Sequence, residues 1–351
     1  DALPILFTSV LIIACPCALA LSVPFTFGNT MRIFGRKGLY IKNTSVIEKL
    51  SHINTIVFDK TGTLTHPGQN KAEYFGRKLS AEEKSAFFSL VRQSPHPLSM
   101  ALAESLQDCS YINPEHFTEI QGRGVFGKAG GYEIRYGSEE YATGRQASPG
   151  KGSSTVFVTI DGTEAGYFTI SNQYREGLEK VIGYLKSKFD LYLLTGDNNA
   201  EREKLSRYFE ADKMHFDQKP QDKADFIEKL HQKGKIVLMT GDGLNDAGAL
   251  MQSDVALTIA NKAYQFSPAS DAVLEAGNFE RLAKFIGFTR ISLWIVYLSF
   301  TISILYNVIG VGIALAGFMS PVIAAILMPI SSVSVVAFAT FVVRGAGSLK
   351  L

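Results

Sequence analysis

Asn54-Thr-Ile-Val-Phe-Asp59-Lys-Thr-Gly-Thr-Leu-Thr65 is the stretch that decides the fold. An apolar, β-branched run without polar alternation suits a strand buried on both faces of a parallel sheet. The run stops at a carboxylate, and Lys60, Thr61 and Gly62 follow at once. Two later stretches repeat the design. Leu191-Tyr-Leu-Leu194 runs into Thr195-Gly196-Asp197-Asn198, and Lys235-Ile-Val-Leu-Met239 runs into Thr240-Gly241-Asp242-Gly243-Leu244-Asn245-Asp246. Helical patterns at 175–189 and 223–233 lie between the strands. Strands alternating with helices predict an α/β, doubly wound parallel sheet. Ligands in such sheets bind beyond the carboxyl ends of the strands, so all three polar loops can face one site.

The stretch at 70–170 reads as an α+β module inserted between the first and second strand-loop units. Ser80 and Glu83 form a capping box ahead of a helix. Residues 154–160 alternate, Asp161-Gly162 makes a tight turn, and 165–170 continues as a strand, which is a hairpin signal. Gly, Pro and Ser gather at 144–154, read as a loop. There is no internal repeat and no low-complexity tract.

Outward from this body, hydropathy marks the two ends. Residues 2–27 and 291–343 carry no charge. The first stretch is long enough to cross a bilayer once, and the second twice, turning near Gly317-Phe-Met-Ser-Pro321. Basic residues stand beside each end: Arg32, Arg36, Lys37 and Lys42; Arg281, Lys284 and Arg290; Arg344 and Lys350. The positive-inside rule then puts the body in the cytosol. The expected layout is a membrane helix at 1–28, a split α/β domain at 29–69 and 171–284, the insert at 70–170, two membrane helices at 285–344 and a tail at 345–351. A buried core helix is the plainer alternative for the first run. The chain starts at Asp1, inside that run and without an initiator Met, and reads as a fragment lacking its true N-terminus.

With 351 residues the chain has room for two or three modules, and a net charge of +2 gives no reason to expect nucleic acid. Of the three cysteines, Cys15 and Cys17 sit one residue apart. A bridge between such close neighbours is geometrically poor, so the cysteines say nothing about an oxidising compartment.

A carboxylate after a buried strand, followed by Lys, Thr and Gly, suits a covalent phosphate acceptor. Asp59 would attack the γ-phosphoryl group of ATP. Thr61 and Thr195 can donate hydroxyl hydrogen bonds to phosphoryl oxygens, and Lys223 can neutralise charge developing on them. Asp242, with Asp59, can hold Mg²⁺ through oxygen ligands, and Asn245 and Asp246 extend the polar rim. Phosphoryl transfer needs mostly positioning and charge neutralisation. For any single Asp here, a turn or N-cap role is the plainer alternative.

Asp59-Lys60-Thr61-Gly62-Thr63 resembles the phosphorylation motif of the P-type ATPases, within the haloacid-dehalogenase superfamily. Thr195-Gly196-Asp197 and Gly241-Asp242-Gly243-Leu244-Asn245-Asp246 match two further motifs of that family. Residues 220–223 look like the loop that carries its phosphate-binding lysine. The resemblance implies a haloacid-dehalogenase-like fold and catalytic roles for Asp59, Lys60, Thr61, Thr195, Gly196, Asp197, Lys223 and Asn245. It implies magnesium binding by Asp59, Thr61, Asp242 and Asp246. Soluble phosphatases of the superfamily carry a second Asp two residues after the first. Here that position is Thr61, which cannot shuttle a proton near neutral pH, so a phosphoaspartate should persist.

Cys15-Pro16-Cys17 sits inside the first apolar run. Proline opens the helical hydrogen-bond ladder, and thiols flanking that break can face one cavity. Soft thiolates select Cu(I) and also take Zn(II) or Cd(II). A kinked helix with two packed cysteines is the bland alternative. The motif resembles that of heavy-metal P-type ATPases, and Tyr306-Asn307 with Met328-Pro-Ile-Ser-Ser332 is similar to their copper(I) subgroup. The resemblance implies one site of Cys15, Cys17 and Tyr306 and a second of Asn307, Met328 and Ser332. Ordinary helix packing is the alternative for Met328 and Ser332. Zinc-type relatives place a Lys and an Asp in these last helices, and neither occurs here.

In the insert, Ser94-Pro95-His96-Pro97 resembles the His-Pro motif of heavy-metal ATPase nucleotide domains, with Pro95 where a Glu is common. Gly122-Arg-Gly124 looks like the family's glycine loop, and Gly137 joins the same surface. ATP would bind at His96, Pro97, Gly122, Gly124 and Gly137. Gly122, Gly124 and Gly127 also spell GxGxxG, but 132–136 reads as a strand where a Rossmann helix would follow. Gly150-Lys151 lacks the Ser/Thr of a P-loop at Gly152. Asn172 stands where relatives usually carry Asp. The resemblance therefore implies export of a soft metal ion, foremost Cu(I), from a bacterial cytosol across the inner membrane, with MgATP as energy source. Its partners would be the bilayer, an actuator-bearing N-terminal half and a cytosolic metal chaperone as candidate donor. A pump for another metal, and a non-pumping phosphatase or metal-binding protein, are the competing readings.

Overall fold

The computed structural model describes residues 2–15, 17–146, 155–243, 246–261 and 268–351. The chain forms two compact units. One comprises Asp1–Thr63, Glu176–Asn198 and Lys204–Leu351, the other Leu64–Arg175 and Asn199–Glu203. In chain order the strands are β1 (Leu39–Ile41), β2 (Thr55–Asp59), β3 (Thr65–Gly76), β4 (His116–Ile120), β5 (Gly124–Ala129), β6 (Tyr132–Gly137), β7 (Thr155–Ile160), β8 (Thr163–Tyr174), β9 (Asp190–Leu194), β10 (Met214–His215), β11 (Val237–Gly241), β12 (Val255–Ala260) and β13 (Ala272–Glu275). The helices are α1 (Ala2–Ile13), α2 (Cys17–Arg36), α3 (Thr44–His52), α4 (Ala81–Val91), α5 (Pro97–Ser105), α6 (Glu139–Thr143), α7 (Leu178–Lys186), α8 (Arg202–Leu205), α9 (Pro220–Gln232), α10 (Ala247–Gln252), α11 (Leu282–Leu315) and α12 (Pro321–Lys350).

The first unit holds a seven-stranded sheet in the order β1-β13-β12-β11-β2-β9-β10. Every pairing is parallel except that of edge strand β1 with β13. Ile56, Val57 and Phe58 are wholly buried, as are Leu238 and Met239 on β11. That burial is why these strands read as unbroken apolar runs. The chain leaves β2, returns beside it at β9, and only later fills the other side with β11. Connections that diverge about β2 open a crevice at its carboxyl end, where Asp59 pairs in register with Leu194.

Two helices differ from the sequence expectation. The pattern over 175–189 becomes a helix only at Leu178, because Gly177 takes φ 72° at its N-cap. Lys223 lies in the first turn of α9 rather than in a loop. Pro220 at that turn needs no hydrogen-bond donor there, and Asp222 accepts from the Lys219 backbone at 2.9 Å.

Segments Pro4–Arg36, Ala276–Leu315 and Pro321–Lys350 are long and apolar enough to cross a membrane. The first is broken at Ala14 and Cys15, between α1 and α2. Pro16, the expected cause of a break, lies outside the described residues. Gly317, at φ 81°, turns the chain from α11 toward α12. Within the bundle, Thr30 and Ser292 share a buried 2.9 Å hydrogen bond, and Ser9 donates to the Met319 carbonyl at 3.1 Å. At the base of α11, Arg290 donates to the Ile53 carbonyl at 3.2 Å and lies over the Phe189 ring at 4.8 Å. Ile53 precedes β2, so a membrane helix is tied to the amino end of the strand that carries Asp59.

The second unit is an antiparallel sheet in the order β3-β8-β7-β6-β5-β4. Phe87, Leu90 and Leu102 of α4 and α5 fill its core against Val158 and Phe168, and Phe87 stacks on Phe168 at 5.4 Å. Burying Phe87 contributes about 1.5–3 kcal/mol. The Ser80–Glu83 capping box is formed in both directions, at 3.1 and 2.8 Å. Asp161 and Gly162, at φ 48° and 73°, make the tight turn of the β7–β8 hairpin. The expected loop at 144–154 falls mostly outside the described residues, Gly150, Lys151 and Gly152 included.

Candidate functional site

At the carboxyl edge of the parallel sheet, β2, β9 and β11 deliver Asp59, Thr195 and Asp242 to one crevice. Lys223 Nζ reaches in from α9 and donates to Asp59 Oδ1 and to Asp246 Oδ1, each at 2.6 Å. All three side chains are buried: Asp59 is 4% exposed, Lys223 5% and Asp246 1%. Burial raises the Asp59 carboxyl, and Asp246 beside it adds to the rise. Lys223 opposes both, leaving Asp59 pushed up to about 7. Asp246 is also raised, by burial first, against the pull of Lys223. Burial pulls the Lys223 ammonium down, but Asp59 and Asp246 together outweigh it and hold it charged.

A second ion pair stands beside the first. Lys60, 3% exposed, contacts Asp197 Oδ2 at 2.6 Å, and Thr61 donates to the same oxygen at 3.1 Å. Asp197 is itself placed by its backbone N–H, which donates to Thr195 Oγ1 at 3.1 Å. Two glycines leave room for the acids. A Cβ on Gly62 would sit 3.2 Å from Asp242 Cβ, and one on Gly241 would sit 2.8 Å from Asp246 Oδ2. That Asp246 Oδ2 is buried with no hydrogen-bond partner among the described residues. Asn245, read from the sequence as part of this rim, lies outside them.

The second unit carries its own cavity of about 350 Å³. His96, Gly122, Gly124 and Gly137 all line it, whereas Pro97 stands at the first position of α5. Gly124 and Gly137 pair directly across β5 and β6. At φ 155° and 152° neither tolerates a side chain: a Cβ on Gly124 would strike the Tyr136 carbonyl, and one on Gly137 the Arg123 carbonyl. Gly124→Ala should therefore destabilise this unit by about 1–3 kcal/mol. Gly122 has nothing within 4 Å of an added Cβ, and Gly122→Ala should cost about 1 kcal/mol for its φ of 75° alone. Comparing the urea midpoints of the two variants checks this order. Glu119, Arg123 and Tyr136 line the same cavity and were not singled out from the sequence. No motif marks them, because a sheet side chain becomes part of a pocket only through its strand register. Asn172 donates to Glu201 at 3.2 Å. An Asp there would set carboxylate against carboxylate, which explains the amide.

In the membrane segment the sulfurs of Cys15 and Cys17 are joined as a disulfide, with Cα atoms 5.6 Å apart. Tyr306 packs in the cluster built on Ile13, two residues before Cys15, and donates to the Leu327 carbonyl at 2.9 Å. Ser332 donates to the Met328 carbonyl at 3.2 Å. Cys15, Cys17, Tyr306, Asn307, Met328 and Ser332 are all half-buried.

A family model for haloacid dehalogenase-like hydrolases matches residues 53–254. A probable copper-transporting ATPase, PacS of Synechocystis sp., is 31% identical over 97% of this chain and 49% of its own length. The chain thus spans about half the length of the curated relatives it matches. A solved zinc-transporting PIB-type ATPase in its E2.Pi state superposes with a TM-score of 0.82 at 23% identity, over 95% of this chain and 57% of its own. That likeness shows the fold alone. A catalytic CPx-ATPase domain, CopB-B, is 30% identical over 98% of its length and 74% of this chain, with a TM-score of 0.54. With its phosphoryl-type crevice on a haloacid dehalogenase-like sheet, its inserted antiparallel sheet and its three membrane-crossing segments, the chain belongs to the haloacid dehalogenase-like hydrolases and, among them, to the heavy-metal-transporting P-type ATPases.

Proposed function

We propose that this chain is the energy-coupling part of an ATP-driven heavy-metal pump of the bacterial inner membrane, with Asp59 as the phosphate acceptor. The observation that carries this reading is the buried Asp59–Lys223–Asp246 triad at the end of β2. An Asp59 oxygen attacks the γ-phosphorus of ATP. The bond to the β-phosphate oxygen breaks, and ADP leaves with the electron pair. Lys223, Thr61 and Thr195 meet the charge on the transferring group, and Lys60 holds Asp197 in place. Thr61 offers no acid or base to discharge the phosphoaspartate, so the intermediate persists long enough to drive transport.

The acids suit a magnesium ion by donor chemistry. Asp246 Oδ2 is a buried oxygen left without a partner among the described residues, and Asp242 lies half-buried against Gly62. These two, with Asp59 and Thr61, would hold the ion, which neutralises phosphoryl charge when bound.

The cargo is a thiophilic metal held by Cys15 and Cys17 in their reduced form. For Cu(I) stand the soft Met328 and the lack of any Lys or Asp within 291–343. Zn(II) is the second reading, favoured by the readiness of thiolate pairs to take zinc. The experiment is phosphoenzyme formation from γ-labelled ATP under reducing conditions, with Cu(I), Ag(I), Zn(II) and Cd(II) in turn. Stimulation by Cu(I) and Ag(I) above Zn(II), with weakened Cu(I) binding in Met328→Ala, is the copper outcome; preferential Zn(II) stimulation reverses it. Replacing Cys15 and Cys17 by Ser should remove stimulation by every metal and leave ATP binding intact. Parental transport by that double variant would place the membrane site elsewhere.

A further inference from the structure

We infer that Glu119 makes the nucleotide cavity selective for adenine, as the acceptor half of a donor–acceptor pair whose other half is His96. The inference rests on the reading that this cavity binds a nucleotide.

Both residues are tied to Ser94, which is 4% exposed. Ser94 Oγ donates to Glu119 Oε1 at 2.9 Å and accepts the His96 backbone N–H at 3.2 Å. The His96 ring is oriented by α5: its Nδ1 accepts the Leu98 backbone N–H at 3.2 Å. A nitrogen that accepts carries no hydrogen, so the neutral ring bears its proton on Nε2 and offers a donor there. Glu119 Oε2 has no protein partner among the described residues. His96 and Glu119 thus bring one donor and one unspent acceptor to the cavity lining, on two residues that share Ser94.

The walls suit a flat ring. Leu98, Val125, Val156 and Phe157 are apolar, and the Gly124–Gly137 pair leaves backbone bare across the strands. Adenine places an amino donor at its 6-position next to ring nitrogens that accept; guanine places a carbonyl acceptor at the same 6-position. Adenine therefore gives its amino hydrogen to Glu119 and takes one from His96. Guanine would set its 6-oxygen against the carboxylate, and a site built for hydrogen bonding rejects the analogue that leaves its groups unpaired.

The test is calorimetric titration of the whole 351-residue chain in detergent with ATP, GTP and N6,N6-dimethyl-ATP, beside Glu119→Gln. The parent chain should bind ATP about tenfold or more tightly than either analogue, from the cost of an unpaired polar group. The glutamine amide can donate to a 6-oxygen, so in Glu119→Gln the ATP-to-GTP ratio should fall close to one. The dimethyl penalty should shrink with it. The comparison of ATP with its dimethyl analogue on the parent chain tests the claim even if the variant folds poorly. An unchanged ATP-to-GTP ratio in a folded Glu119→Gln, or a parent chain that binds all three nucleotides alike, overturns the role of Glu119 and leaves nucleotide binding standing. Absence of binding heat with every nucleotide overturns the nucleotide reading as well.

Discussion

Asp59→Asn abolishes the acid-stable, hydroxylamine-sensitive label that γ-labelled ATP leaves on the protein, and the sheet that carries it stays folded. The amide oxygen of asparagine is neutral and cannot form the acyl phosphate. The substitution is isosteric, and Lys223 keeps Asp246 as a partner at 2.6 Å. It also removes a buried carboxylate that burial and Asp246 push up to about 7. The variant should therefore be no less stable than its parent above neutral pH. Nucleotide binding should persist, because His96 and Gly124 lie in the other compact unit. Loss of label in a protein that melts normally separates a missing nucleophile from a collapsed fold. Undiminished labelling would falsify the assignment of Asp59.

The strands that build this site were legible in the sequence because they are buried on both faces. Thr55–Asp59, Asp190–Leu194 and Val237–Gly241 fall within two residues of the runs read from hydropathy. The insert was legible through turn and cap chemistry, since Asp161-Gly162 and the Ser80–Glu83 box act over a few residues. What stayed hidden depends on chain segments far apart in sequence. Nothing local says that Lys223 Nζ lies between Asp59 and Asp246, or that Lys60 reaches Asp197. Glu119 was invisible for the same reason. Pro95 stands where a carboxylate is expected beside His96, and one of the carboxylates lining the cavity, Glu119, comes from β4.

Lys223→Met should cut phosphoenzyme formation by about 100- to 1,000-fold, the usual effect of losing a donor aimed at transition-state charge. Its cost in stability should grow with pH. In the parent, burial and Asp246 raise Asp59 to about 7 while Lys223 pulls it down. With Lys223 gone, that pull disappears from Asp59 and Asp246 alike, and both rise further. The native state then holds a proton over a range in which the unfolded chain, with ordinary carboxylates near about 4, holds none. Stability follows the difference in bound protons, so it falls as pH rises from the unfolded value through the raised native one. Below the raised values the acids are protonated and the variant loses little. Above the raised values both are ionised and unpaired, and the loss should reach roughly 3–5 kcal/mol, as when one partner of a buried pair is removed. Lys223 does not confuse this window. Its own raised value means that its contribution is complete below its unfolded value near about 10.4 and is lost only above it. Urea midpoints of parent and variant without magnesium, taken on both sides of neutrality, give the comparison. The rate of phosphoenzyme formation should also begin its rise at higher pH in the variant, because the nucleophile is the ionised carboxylate. A stability gap that is the same at both pH values would show that Lys223 does not neutralise this pair.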